Sequence, residues 1–246
     1  MDAFFIIVRR DVLNLVRKRS FLVSMSIFPL ALVGLLGLLN EGFFGGGMTG
    51  WDVCAVNILV YMGGYASMIA TNSFMERTLR PTNLRVLFTP VPLAAVYVGK
   101  IVATTIFCGT GYLVDTIVLS LCGVRLGPAL GLGLAPLVIA VTLASTSLGV
   151  FICCLVRDEP TANRILSLVV NVLAAVGGVF FSIESLGGAA ATIAAISPFT
   201  WLREVAFQWV WDGRFGPLAI ATVAALAVAG LMTLACRAAF RTEDYV

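Results

Sequence analysis

Histidine does not occur in this 246-residue sequence. Its absence removes the commonest general base and metal ligand, and with it any Ser–His or Cys–His nucleophile pair. Charge is scarce as well. Asp, Glu, Lys and Arg make up 12% of the chain, about half of the ~25% usual in soluble domains. The six cysteines contain no C-x-x-C pair and read as small buried hydrophobes rather than disulfides or ligands. No Asp/Glu cluster has metal-ligand spacing. Gly99-Lys100 does not make a phosphate loop, because Ala94 stands where the first glycine belongs and Ile101 where Ser or Thr should follow. The residues needed for catalysis or for binding ATP are therefore missing, and a net charge of +3 gives no support to nucleic-acid binding.

Apolar sequence is abundant. Hydrophobic residues are 60% of the chain and the mean hydropathy is +1.02. In water such a surface would aggregate, so lipid is the expected solvent. About 20 apolar residues cross the hydrocarbon core as a helix, and roughly six such runs occur: 21–39, 53–75, 94–122, 129–156, 164–183 and 217–236. Helix is the expected form because backbone groups in lipid must be satisfied within the segment. Basic residues orient the spans. With both termini cytoplasmic, thirteen of the sixteen Lys and Arg lie inside, and Arg125, Arg203 and Arg214 lie outside. Trp51, Trp201, Trp209 and Trp211 then all fall on the outer side, where a water–lipid boundary suits them. Arg17-Lys18-Arg19 precedes a run too long for a signal peptide, with no small-residue cleavage site after it. The expectation is an all-α integral membrane protein of six spans, multi-pass in the plasma or inner membrane. Residues 1–246 are read as a single transmembrane domain.

Three non-spanning segments stand out. In residues 3–19, Phe4, Phe5, Val8, Val12, Leu15 and Val16 share a helical face. Arg10, Asp11, Asn14, Arg17 and Lys18 lie opposite, while Ile6, Ile7 and Leu13 break the pattern. This predicts an amphipathic helix at the cytoplasmic interface with its polar face toward anionic headgroups. Residues 76–92 mix charge with Leu84, Leu87 and Phe88. Such apolar side chains in a basic loop need burial, against the loop's own helix ends or in a groove on another protein. The outer segment 184–216 is interrupted by Pro198, Arg203 and Glu204, which favours re-entrant or interfacial helices over a seventh span.

Polar residues inside the spans are the remaining signal. Asn57, Tyr61, Tyr65, Met68 and Asn72 recur every three or four residues in the second span and share one face. Buried amides need partners, so this face points to other helices or to an aqueous path. In the fifth span Ser167, Asn171, Ala174, Gly178 and Ser182 are placed on one face with the same two readings. Thr142, Ser145, Thr146, Gly149 and Cys153 in the fourth suit close helix packing. Asp115 is an acidic residue well inside a span, on the same face as Thr104, Cys108 and Tyr112. It is either a hydrogen-bonded structural carboxyl or a transport residue.

In order and placement these features resemble ABC-2-type transporter permeases over nearly the whole chain. The resemblance is carried by Glu76-Arg77, Thr82, Leu87 and Thr89-Pro90-Val91, by Gly99-Lys100 opening the third span, and by Gly177-Gly178 through Ile196-Ser197-Pro198-Phe199. Pro81 stands where a Gly is common, and Asn83-Leu84 where an acidic residue often follows the Thr.

The resemblance implies a non-catalytic permease that pairs with a second permease, identical or paralogous. It implies a coupling helix at 76–92 that docks an ABC ATPase on a separate chain, with Glu76, Arg77, Thr82, Leu84, Arg85, Leu87 and Phe88 as contacts. ATP and Mg would be bound by that ATPase. The substrate path would run along Asn57, Tyr61, Tyr65, Met68, Asn72, Ser167, Asn171, Gly178 and Ser182. Because the stripe is neutral and partly aromatic, the expected cargo is amphipathic: a drug, an antimicrobial peptide or a lipid-like molecule. The competing reading is an ion- or proton-coupled secondary transporter using Asp115. Arg85→Glu combined with Leu87→Asp should release the ATPase from the detergent-solubilised complex, and unchanged co-purification would remove the docking assignment.

Overall fold

The computed structural model describes residues 2–41, 49–75, 92–180 and 189–240, and all the regular structure among them is helical. The first helices are α1 (Asp2–Arg17), α2 (Arg19–Leu39), α3 (Gly50–Met75) and α4 (Leu93–Leu121). A 3-10 stretch, Pro128–Leu134, leads into α5 (Ala135–Val156), which is followed by α6 (Glu159–Val176). The chain continues through α7 (Ala189–Ile196), α8 (Pro198–Asp212) and α9 (Phe215–Ala239). Five stretches are long and apolar enough to cross a membrane: Arg19–Leu39, Gly50–Met75, Ala94–Leu121, Gly131–Val156 and Phe215–Ala239.

The fifth run departs from its predicted bounds of 164–183. Its helix starts earlier because Asp158 caps it, the carboxylate accepting from the Thr161 N–H at 3.1 Å, with Pro160 in the first turn. It stops earlier because Gly177 and Gly178 follow, the latter at φ +72°, a conformation open chiefly to glycine. With Glu159, Asn163 and Arg164 in its first turns, α6 is also more polar than the five spans.

α3 is the central helix, with nearly every residue buried and α2, α4, α5, α6 and α8 packed around it. Its closest neighbour is α5. A Cβ at Gly149 would collide with the Ser67 carbonyl, and one at Gly63 would sit 3.0 Å from Val141 Cγ1. Thr71 Oγ1 donates to Ser67 O at 2.9 Å and approaches Gly149 O at 3.5 Å. Lipid tails are as apolar as leucine, so close van der Waals contact rather than hydrophobic exclusion holds such helices together. On that face Thr142, Thr146, Gly149 and Cys153 are buried, as packing requires, while Ser145 is half-buried. α9 lies on the far side of α5, with Thr233 Oγ1 and Ser147 Oγ 3.2 Å apart. Its outer face exposes Ile220, Val223, Leu226, Leu231 and Leu234, as a lipid-facing helix should. All six cysteines are free; five are buried and Cys122 is exposed.

α1 corrects the predicted amphipathic pattern. Its buried face is Ile7, Val8, Asp11 and Leu15, while Phe5 and Ile6 are 68% and 66% exposed. The helix seats on α4 at Gly99, where a Cβ would lie 3.1 Å from Ile7 Cγ2. Ile7 thus breaks the sequence pattern because it fills a neighbouring helix's glycine notch. Asp11, expected among headgroups, is 3% exposed and paired with Lys100. At the end of α1, partial burial lowers the Lys18 pKa, and the Glu159 carboxylate opposes that shift.

Gly149→Val should lower the thermal midpoint of the detergent-solubilised protein, since overpacking a seam costs about 1–3 kcal/mol. Gly230→Ala, in a helix interior where nothing lies within 4 Å, should not lower it; a fluorescence-detected size-exclusion melt compares the two.

Candidate functional site

The α3 stripe forms one face as its spacing requires, but the structure divides it at Tyr61. Asn57 and Tyr61 are buried, whereas Tyr65, Met68 and Asn72 are half-buried. Tyr61 is closed in by aromatic rings. Its centroid lies 5.3 Å from that of Phe180, 6.0 Å from Tyr65 and 6.4 Å from Phe199, all within the range of favourable ring pairs. Tyr65 in turn meets Phe28 of α2 at 6.2 Å.

A hydrogen bond crosses from α3 to α6 at the same level. The Tyr61 hydroxyl donates to Asn171 Oδ1 at 2.8 Å. The Asn171 amide nitrogen donates to Ser167 O at 2.8 Å and to Ser167 Oγ at 3.3 Å. Asn171 is thus oriented from both ends although it sits on an exposed face. One turn from Tyr61, Asn57 donates to the Val179 carbonyl at 3.3 Å, while its Oδ1 has no hydrogen-bond partner among the described residues. Along α6, Asn163, Arg164, Ser167, Leu168, Asn171 and Val172 line an open trough of about 560 Å³.

Gly178 does not share the Ser167–Asn171 face, because the helix has ended before it. It is buried instead against Arg203 of α8, whose Nη1 donates to the Gly178 carbonyl at 3.0 Å. Ser197 Oγ donates to the Leu173 carbonyl at 2.6 Å. Phe199 lies over Gly64, where a Cβ would come within 2.5 Å of its Cζ. Ser197, Phe199 and Arg203 therefore clasp the end of α6 and close the upper stripe. Sequence reasoning noted Pro198 and Arg203 as interruptions, Arg203 also as an outer basic residue and Ser197-Pro198-Phe199 as part of the family resemblance, but gave none of them a contact. The available signal was a Ser-Pro helix start with an arginine in its second turn, which fits an arginine satisfying helix-end carbonyls. Gly64 is 14 residues along α3 from Gly50, about 21 Å at 1.5 Å per residue. Trp209, at the other end of α8, packs on Gly133.

At the tryptophan-rich end Asp52 forms a second polar node that the sequence reading missed. Its carboxylate accepts from the Arg125 N–H at 2.7 Å and the Thr49 N–H at 3.1 Å. Thr49 Oγ1 accepts from the Asp52 N–H at 3.2 Å. This reciprocal box starts α3 and pins it to the segment after α4. Asp115 is buried at 1% exposure, and its Oδ1 has no hydrogen-bond partner among the described residues. The residues expected to dock the ATPase, Glu76, Arg77, Thr82, Leu84, Arg85, Leu87 and Phe88, and Ser182, expected on the path, lie outside the described residues.

The helix order, the apolar spans and the matched sequence decide the family together. The family model described as ABC-2 type transporter matches residues 2–211. The chain belongs to the ABC-2 type transporter family. No curated protein matches it. An ABC-2 domain is the transmembrane permease part of an ABC transporter and works with ABC ATPase subunits. In this ABC-2 permease the matched region takes in α1 to α7 and nearly all of α8, and so covers the whole stripe and its clasp. The permease is a multi-pass, all-helical membrane protein.

Tyr61→Phe keeps the ring stack and deletes the bond to Asn171. The expected loss is about 0.5–1.5 kcal/mol, seen as a lower thermal midpoint, and Asn171→Leu in the same background should add little further loss.

Proposed function

We propose that this permease forms the cargo path of an ATP-driven exporter for neutral or amphipathic molecules. The observation that carries the reading is the division of the α3 stripe. Tyr65, Met68 and Asn72 are only half-buried toward the basic end of the bundle. Tyr61, Phe180 and Phe199 close the stripe toward the tryptophan-rich end. A polar, aromatic surface open at one end and stoppered part-way is the form expected of an inward-open path. Asn57, Tyr61, Tyr65, Met68 and Asn72 are all uncharged, which supports amphipathic cargo over strongly anionic cargo.

In this proposal α6 is the fifth of six spans, the one added to the five long apolar stretches. Its 18 residues extend about 27 Å, close to the ~30 Å hydrocarbon thickness. Both termini are cytoplasmic, as the basic-residue split supports. α7 and α8 form a re-entrant pair, supported by the contact of Phe199 with α3 at Gly64, about 21 Å along α3 from Gly50. The exposed α6 trough faces a second permease, since Asn171 and Arg164 are poor residues to present to lipid. The segment 76–92 docks an ATPase carried on a separate chain.

The experiment is reconstitution with a co-expressed phosphate-loop ATPase and a panel of amphipathic compounds. Tyr65→Ala and Asn57→Leu should preserve assembly but shift half-maximal ATPase stimulation by on the order of tenfold, equivalent to ~1.4 kcal/mol. If both variants give unshifted curves, the stripe is helix packing alone and the path assignment is wrong.

A further inference from the structure

Lys100 stands in the second turn of α4 and is 3% exposed. Its ammonium lies 3.2 Å from Asp11 Oδ1 on α1 and donates to the Ser73 carbonyl on α3, also at 3.2 Å. One side chain therefore ties three helices. The geometry is built around it. Gly99 admits α1 through its contact with Ile7, and Ser73 Oγ meets Thr104 Oγ1 at 3.2 Å one turn further along α4. Arg10 approaches the same Asp11 oxygen at 3.4 Å. A small pocket lined by Asp11, Asn14, Lys18, Ser73 and Lys100 adjoins the pair.

Stability alone is a poor reason for such a pair. Desolvating both charges offsets most of their attraction, and apolar residues of the same volume hold helices together as well or better. What an apolar replacement cannot supply is the bond to Ser73. That carbonyl lies two residues before Met75, the end of α3, where the negative end of the helix dipole favours a cation. The segment 76–91 leaves from this point, and α4 begins where it returns. The Gly99-Lys100 pair that fails as a phosphate loop thus has a different physical use.

We propose that Lys100 is a positioning residue for the ATP-driven cycle: it locks the end of α3 and the N-terminal helix α1 to α4, so that the three helices move as one body. This rests on the permease reading above.

The test uses the full permease with its ATPase, carrying Met68→Cys as a reporter and Cys122→Ser to remove the exposed native thiol. N-ethylmaleimide labelling at position 68 is measured with and without ATP and vanadate. Lys100→Met leaves Asp11 buried and unpaired, so Asp11→Leu with Lys100→Met serves as the variant that keeps its thermal midpoint. The double variant should co-purify with the ATPase and hydrolyse ATP, while its ATP-dependent labelling change falls by on the order of fivefold or more. Lys100→Arg, which keeps charge and donor, should retain the response. A double variant whose labelling follows ATP as fully as the Lys100 protein would show the ion pair to be packing and overturn the proposal. Failure of the Lys100 protein itself to hold the ATPase would overturn the permease reading, and the proposal with it.

Discussion

The close approach of α3 and α5 is the constraint on which the rest of the bundle depends. In lipid, helices gain nothing by hiding apolar surface from one another, so they associate where backbones can come near and polar groups find partners. Gly149 against Ser67 and Gly63 against Val141 provide that approach, and Thr71 closes it with hydrogen bonds to both backbones. With α3 seated there, its remaining faces must be covered by α2, α4, α6 and α8 or lined by polar groups. The polar stripe is what remains.

The stripe and the clasp together explain how one helix serves two purposes. Toward the tryptophan-rich end, where Phe180 and Phe199 pack on Tyr61, α3 is ordinary core. Toward the basic end it is partly open, and the boundary is marked by the Tyr61–Asn171 hydrogen bond. That bond joins the buried helix to α6, whose other face is exposed. The clasp on the end of α6 comes from Ser197 and Arg203, so the segment after α6 helps set where α6 sits.

Much of this was legible in the chain. Five of the six expected spans followed from run length, and the α3 stripe residues shared a face because helical spacing leaves no alternative. The small-residue face of α5 was rightly read as packing. The errors are equally specific. Gly178 was placed on the Asn171 face because spacing was continued through Gly177, where the helix stops. Asp11 was assigned to the headgroups because one helix considered alone cannot show a lysine arriving from another. Ile7 looked like a defect until Gly99 was opposite it. Asp52 drew no attention because an acid at a helix start usually caps only its own helix, whereas here it also holds the Arg125 backbone.

By itself the sequence determined solvent, helix number to within one span, and which residues share a helix face. These properties depend on local composition and on a fixed period of 3.6 residues. Tertiary structure alone decided which half of the α3 stripe is closed, that Arg203 belongs to the end of α6, and that Lys100 is paired rather than exposed. Each of these depends on contacts between residues tens of positions apart: Tyr61 with Asn171, Gly178 with Arg203, Asp11 with Lys100. Side-chain chemistry shows that such groups need partners, but only the packed bundle shows which partners they find.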